Sequence, residues 1–422
     1  VHHDHGPSDC CVSPRAARSV DTHLQACLEV AASLPTPTET VPITEAAGRI
    51  LAEDVAAALP VPPFSNSAMD GFLVHLADLE GQGPWTLPVA GDVPAGAQAV
   101  AVPAGQAVRI MTGAPTGEDT GGLTVIPVED TTLPAGPVPL PAEVTITAAP
   151  TAPRHIRARG ENIAIGEAAV PAGARVDAGA LAALVSVGAL EVPVFRRPRV
   201  TVIATGDELV AAGRLPGAGQ IPDSNSPMLA RLVEETGLAG VRELRVGDAP
   251  GAFTQAIAEA RESSELIITS GGVSAGAFDV VKEALSGTDV WFGKVAMQPG
   301  KPQGLGRVGD AAILCLPGNP VSSFVSFHLF ALPVIQALAG LKAEPRPWLR
   351  ARLSGELPAP RGRDLFVPAR LSLAGSPVVG SATGGRFGSH FVASLTGVNA
   401  LVHRGVDEGP AADGDTVLVT PL

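Results

Sequence analysis

The chain is short of positive charge. Its 422 residues carry 29 Lys and Arg against 42 Asp and Glu, a formal net charge of −13. That excludes the broad cationic footprint which nucleic acid or an acidic membrane surface requires. Any anionic substrate must therefore meet cations placed locally. Cysteine is scarce too. Cys10, Cys11, Cys27 and Cys315 show no Cys-x-x-Cys spacing, so neither a disulfide framework nor a zinc site is indicated, and the four are read as reduced cytosolic thiols in a cytoplasmic protein. Charged residues amount to 17% beside 45% hydrophobic residues, which excludes a disordered chain.

The start, "VHHDHGPSDCC", lacks a basic segment followed by an apolar core and is not a secretory signal. His2, His3, His5 and the cysteine pair are metal-ligating types, but no partner ligand sits on a defined element nearby, so residues 1–18 are expected to be a disordered tail. One run, residues 321–341, is uncharged and long enough to cross a bilayer. Its serines, His328, Gln336 and mid-segment Pro333 instead predict a buried helix of an α/β domain.

Glycine (48) and proline (40) are plentiful and punctuate short apolar runs. Residues 19–63 and 150–194 have mixed helical and strand texture and are read as two parts of one linking segment. Residues 64–149 read as an inserted β domain of short strands. From 195 to 340, β-branched runs such as "RVTVIAT", "ELIITS" and "AAILCL" alternate with helical stretches. That alternation predicts parallel strands with crossover helices in three layers. Residues 341–422 return to strand texture and are expected to form a small β-barrel or sandwich.

Ligands of open parallel sheets sit beyond the carboxyl ends of the strands. The segments following the apolar runs are "TGDEL" with Asp207 and Glu208, "GDAP" with Asp248, "SGGVSAGAFD" with Ser270, Gly271, Gly272, Ser274, Gly276 and Asp279, and "PGNPVSS" with Pro317, Gly318, Asn319 and Ser322. Gly-rich loops and helix starts bind anions through free N–H groups, although such loops also serve only as turns. Carboxylates beside a phosphate call for a hard cation, and Mg²⁺ fits. Asp248 and Asp279 read equally well as helix caps. Lys294 and Lys301 flank the turn in "GKVAMQPGKPQG" and can supply positive charge. In "PPFSNSAMDGF", turn-formers deliver Asp70 next to Gly71, where glycine permits backbone angles that strain other residues; Asp70 is either a turn former or a positioned base or metal ligand.

"NSAMDGF", "RIMTGAP", "TGDEL", "SGGVSAGAFD", "MQPGKP", "LPGNPVSS" and "GSHFVASLTGVNAL" occur in that order. The chain resembles, over about residues 19 to 420, the molybdopterin molybdenumtransferases of molybdenum cofactor synthesis. The resemblance implies a multi-domain α/β plus β fold: a central three-layer α/β molybdopterin-binding domain, an inserted small β domain, a C-terminal β-barrel and an elongated helical and β linking segment. It implies Mg²⁺-dependent insertion of molybdenum from molybdate into adenylylated molybdopterin with release of AMP. Asp70, Thr112, Glu208 and Lys294 then match catalytic positions, and Glu208, Asp248 and Asp279 match metal ligands. Lys301, Ser322, Arg363 and Ser389 match the oxyanion site, beside the two glycine loops.

The family's cleft lies between subunits of a homodimer, and the upstream adenylyltransferase and molybdoenzyme apoproteins are further implied partners. The sequence departs from the pattern at Gln298, where many relatives carry a cation, between Pro115 and Val125, and at Phe72, where tyrosine is frequent; this chain has no tyrosine. The alternatives are the earlier adenylyltransferase, which would resemble only residues 195–340, and a non-catalytic molybdopterin-binding or scaffold protein.

Overall fold

In the parallel sheet each strand sends alternate side chains to opposite faces, and both faces are apolar. Val200 and Val202 join Leu266, Ile268, Leu314 and Leu316 on one side, under Leu229, Val233, Val325 and Phe330. Ile203, Ile267, Ile313 and Cys315 face the other side, against Phe253, Ile257, Ala260 and Val281. Such two-sided burial requires helices on both faces.

The computed structural model describes residues 17–134, 136, 138–249, 251–272, 280–342, 344, 346–382, 388 and 390–422. The histidine-rich start, Ser274, Gly276, Asp279 and Ser389 lie outside the described residues. The chain divides into two units. One takes the chain up to Glu39, Gly48–Ile50 and Phe195–Leu422, and the other takes Thr40–Ala47 and Leu51–Val194.

In the first unit a six-stranded sheet has the order Gly240–Val246, Arg199–Thr205, Leu266–Ser270, Ala311–Leu316, Pro302–Val308, Val290–Lys294. The first four strands are parallel and the last two join antiparallel. The helix Val20–Ala32 packs on this sheet's core through Cys27 and Ala31, with His23 edge-on to Phe330 at 4.7 Å, so it lies with the α/β layers rather than with the linking residues that follow it. After the sheet, strands Leu349–Ser354, Asp364–Ser372, Val378–Ser381, Ala400–Arg404 and Thr416–Pro421 close on themselves into a five-stranded barrel.

The apolar run beginning at Pro320 is the core helix the sequence predicts, with one irregularity. Pro320–Ser326 and Leu332–Leu338 are α-helical, and Phe327–Ala331 between them is a π turn. There the Leu332 N–H donates to the Phe327 carbonyl, five residues back. Pro333 follows and has no N–H to offer the next carbonyl, that of His328. The half-buried Arg346 guanidinium donates to that carbonyl instead.

In the second unit Leu123–Pro127, Gly71–His75, Ala107–Ile110, Trp85–Val93 and Glu143–Ile146 form the inserted sheet in that order. The residues on either side of it in sequence share one small core, in which Val41 and Leu51 meet Val170, Leu184, Val192 and Val194.

Arg346→Met keeps the apolar stem and removes the donor. It is expected to cost about 1–3 kcal/mol, the penalty for a buried carbonyl left without a partner. Urea denaturation of the two proteins measures this, and equal midpoints would show that the carbonyl is satisfied some other way.

Candidate active site

Four clusters of predicted residues assemble. In the inserted sheet, Asp70 ends the turn before strand Gly71–His75. One of its oxygens, Oδ1, accepts from the Thr112 N–H at 2.6 Å and from the Thr112 hydroxyl at 2.7 Å. The backbone donor first, then the hydroxyl, hold the Asp70 carboxyl below its usual range. It is thus an exposed, fixed carboxylate with Oδ2 left over. The adjoining glycine is required for another reason than the one the sequence suggests. Gly71 is not among the positive-φ residues; instead a Cβ there would lie 2.0 Å from the Ile126 carbonyl oxygen.

At the carboxyl edge of the parallel sheet, two acidic loops clasp each other. The Asp248 N–H donates to Asp207 Oδ1 at 2.9 Å and the Asp207 N–H returns to Asp248 Oδ2 at 3.2 Å, while the Thr205 hydroxyl reaches Asp248 Oδ1 at 3.3 Å. The capping alternative for Asp248 is not what the structure has. The following helix, Ala252–Ser263, starts at Gly251 with no side-chain cap. The Glu208 carboxylate folds over Gly206, where a Cβ would meet it at 2.5 Å. Asp207, Glu208 and Asp248 are exposed at this edge and offer hard oxygen donors. Among the described residues no group of three potential ligands is close enough to share a metal ion.

The two glycine loops lie side by side, as the sequence predicts. The Gly271 N–H donates to the Leu316 carbonyl at 3.1 Å, and a Cβ on Gly318 would stand 3.4 Å from Gly271 Cα. Gly271 and Gly272 both take positive φ, 97° and 67°. Asn225 was not anticipated. Its amide donates to Ser270 Oγ at 2.7 Å and to the Gly318 carbonyl at 2.6 Å, joining both loops. The only hint in the sequence is an asparagine at a strand-to-helix junction, "PDSNSPM".

Beside them is a cavity of about 270 Å³ lined by Lys301, Ser322, Arg363, Gln298 and Asn319, with Met297, Leu365, Phe366 and Val367 in its walls. Arg363 Nε is buried there without a partner among the described residues. Apolar walls matter because two charges 4 Å apart interact by about 4 kcal/mol at an effective dielectric of 20 but only about 1 kcal/mol in water. The chemistry suits a small oxyanion. Lys294 is exposed at the end of its strand and is not part of this lining; its carbonyl accepts the Arg18 N–H at 2.9 Å.

These features define a class: an α/β domain with glycine loops at the ligand edge of its sheet, built into a larger chain. Comparison with known proteins gives the family. Residues 201–337 match the "Probable molybdopterin binding domain", residues 18–188 the MoeA N-terminal region (domains I and II), and residues 350–422 the MoeA C-terminal region (domain IV). A molybdopterin molybdenumtransferase 2 of Mycobacterium tuberculosis is 41% identical over 91% of this chain and 95% of its own length. A molybdopterin molybdenumtransferase of Haemophilus influenzae is 35% identical over 92% and 95%. A crystal structure of a molybdopterin biosynthesis MoeA protein of Pyrococcus horikoshii superposes with a TM-score of 0.77 at 27% identity, covering 96% of this chain and 99% of that one. The chain belongs to the MoeA family, and its relatives named molybdopterin molybdenumtransferase are enzymes.

Thr112→Val removes one of the two donors to Asp70 and should raise its pKa towards the ordinary carboxylate value without reaching it, because the backbone donor remains. Titration of the Asp70 carboxyl by NMR reads this directly, and an unchanged pKa would show that the hydroxyl contributes nothing.

Proposed function

We propose that the chain inserts molybdenum from molybdate into adenylylated molybdopterin, hydrolysing the phosphoanhydride with the help of Mg²⁺ and releasing AMP. One observation carries the reading. In a chain with a net charge of −13, Lys301 and the unpaired Arg363 Nε converge with Ser322 on one apolar-walled cavity beside two backbone loops suited to phosphate. Molybdate is a small dianion, and the cavity supplies a point charge, a guanidinium and a hydroxyl for it. The Gly271 N–H is bonded to the Leu316 carbonyl, and the other backbone N–H groups of the loops at Gly271 and Gly318 are suited to the pterin phosphate.

Glu208 and Asp248, with Asp279, are the residues that would hold Mg²⁺. Their all-oxygen chemistry fits that ion, which when bound neutralises charge developing on the anhydride. Asp207 orients Asp248 through the paired backbone contacts. The adenylyltransferase alternative is disfavoured because the match to relatives extends over the N-terminal and C-terminal regions as well as the α/β domain.

Lys301→Ala should raise the molybdate concentration needed for half-maximal insertion by about ten- to a hundredfold, as a hydrogen bond to a charged group is worth roughly 1.5–3 kcal/mol. Binding of the adenylylated pterin should be nearly unchanged. The assay is run at fixed ionic strength, since screening weakens exposed charges. A shift in pterin affinity alone would assign Lys301 to the phosphate and remove the molybdate reading.

The family resemblance also supports a homodimer in which Asp70 and Thr112 of one subunit act with the carboxylates of the other. Sedimentation at micromolar concentration should then show dimers, whereas a stable monomer with full AMP release would contradict the shared cleft.

A further inference from the structure

We infer that Asn225 is a positioning residue for the bound pterin phosphate, acting as a clamp that holds the two glycine loops in register. The inference rests on the function proposed above. Its amide nitrogen spans Ser270 Oγ at 2.7 Å and the Gly318 carbonyl at 2.6 Å. Because the Gly318 partner is an acceptor, the nitrogen must face it, which fixes the orientation of the amide. Gly271 and Gly318 touch backbone to backbone and have no side chains with which to hold each other. The Gly271 N–H bond to the Leu316 carbonyl ties the loops where they leave the sheet, and a further link, to Ser270 Oγ and the Gly318 carbonyl, comes from a third segment, the start of helix Asn225–Thr236.

Two features separate this role from ordinary helix capping or stabilisation. A free N–H of the helix start is already satisfied from outside: Asp223, just before the N-cap Ser224, accepts from the Ser226 N–H at 3.0 Å and from its hydroxyl at 2.7 Å. Asn225 is not needed there. Its buried Oδ1, moreover, has no hydrogen-bond partner among the described residues. A buried acceptor without a partner is destabilising, so the side chain carries a cost that a residue serving stability alone would not. What it secures is geometry. A phosphate that receives backbone N–H groups from both loops binds well only if the loops keep their spacing, because misplacement by about 1 Å weakens such sites steeply.

The test uses the full chain and three variants. Asn225→Asp keeps the shape but turns a carboxylate oxygen on the Gly318 carbonyl; Asn225→Ala removes the clamp; Asn225→Ser keeps one donor. Molybdopterin binding, the molybdate concentration for half-maximal insertion and the melting temperature are measured for each. The Asp and Ala variants should bind molybdopterin about tenfold or more weakly, with Ser between them and wild type, the scale of one strong hydrogen bond lost. Molybdate dependence should shift by less than about twofold, since Lys301, Ser322 and Arg363 make no bond to Asn225, and the melting temperature should stay near that of wild type.

If wild type binds molybdopterin and all three variants bind it equally well, the clamp is refuted while the function stands. Parallel loss of both substrates together with a lowered melting temperature would give Asn225 a folding role only and overturn the inference. Failure of wild type itself to bind molybdopterin would remove the functional reading, and the clamp with it.

Discussion

A parallel pairing only two residues long brings together the cations of the cavity proposed to hold an anion. Met297 and Gln298 lie alongside Asp364 and Leu365, and the Asp364 N–H donates to the Ala296 carbonyl at 2.9 Å. This stitch joins the turn that carries Lys301 to the barrel strand that follows Arg363. Without it the two cations, far apart in sequence, would have no common wall. In a chain whose overall charge repels anions, binding depends on this local convergence and on apolar walls that keep the attraction from being screened.

The second requirement is backbone placed where side chains would obstruct. Gly271 takes a φ of 97° that suits glycine, and Gly318 lies so close against it that an added Cβ would be in van der Waals contact with it. Gly71 similarly admits the Ile126 carbonyl and so lets Asp70 end its turn beside Thr112. Charge is supplied by few side chains and direction by many N–H groups. The acidic loops obey the same economy of contact, since Asp207 and Asp248 orient each other through their own backbones and leave the Glu208 carboxylate at the exposed edge.

Much of this was legible in the sequence, for identifiable reasons. The parallel strands declare themselves because burial on both faces leaves continuous β-branched runs, as in Arg199–Thr205 and Ala311–Leu316. Segments that directly follow such strands fall at the ligand edge by topology, which is how Ser270, Gly271 and Gly318 could be grouped in advance. Convergence of Lys301, Ser322 and Arg363 followed from resemblance to a family, because no local pattern encodes a pairing between residues 297 and 364.

What the sequence hid was contact between distant segments. Gly71 was explained by dihedral freedom when its constraint is a neighbouring carbonyl. Asp248 read as well for a cap as for a ligand until its partners were in view. Asn225 carries no periodic or spacing signal, since its meaning lies in two acceptors 45 and 93 residues away. The π turn at Phe327–Ala331 is invisible in hydrophobic pattern, and only Pro333 hints that a carbonyl will need an outside donor.

The central claim is that the cavity between Lys301, Ser322 and Arg363 is where molybdate binds. Anomalous diffraction from crystals soaked in molybdate locates the molybdenum without reference to activity. The account predicts a single strong peak within hydrogen-bonding reach of those three side chains, lost in the Lys301→Ala protein. Molybdenum ordered elsewhere in the chain, with this cavity empty, would contradict it.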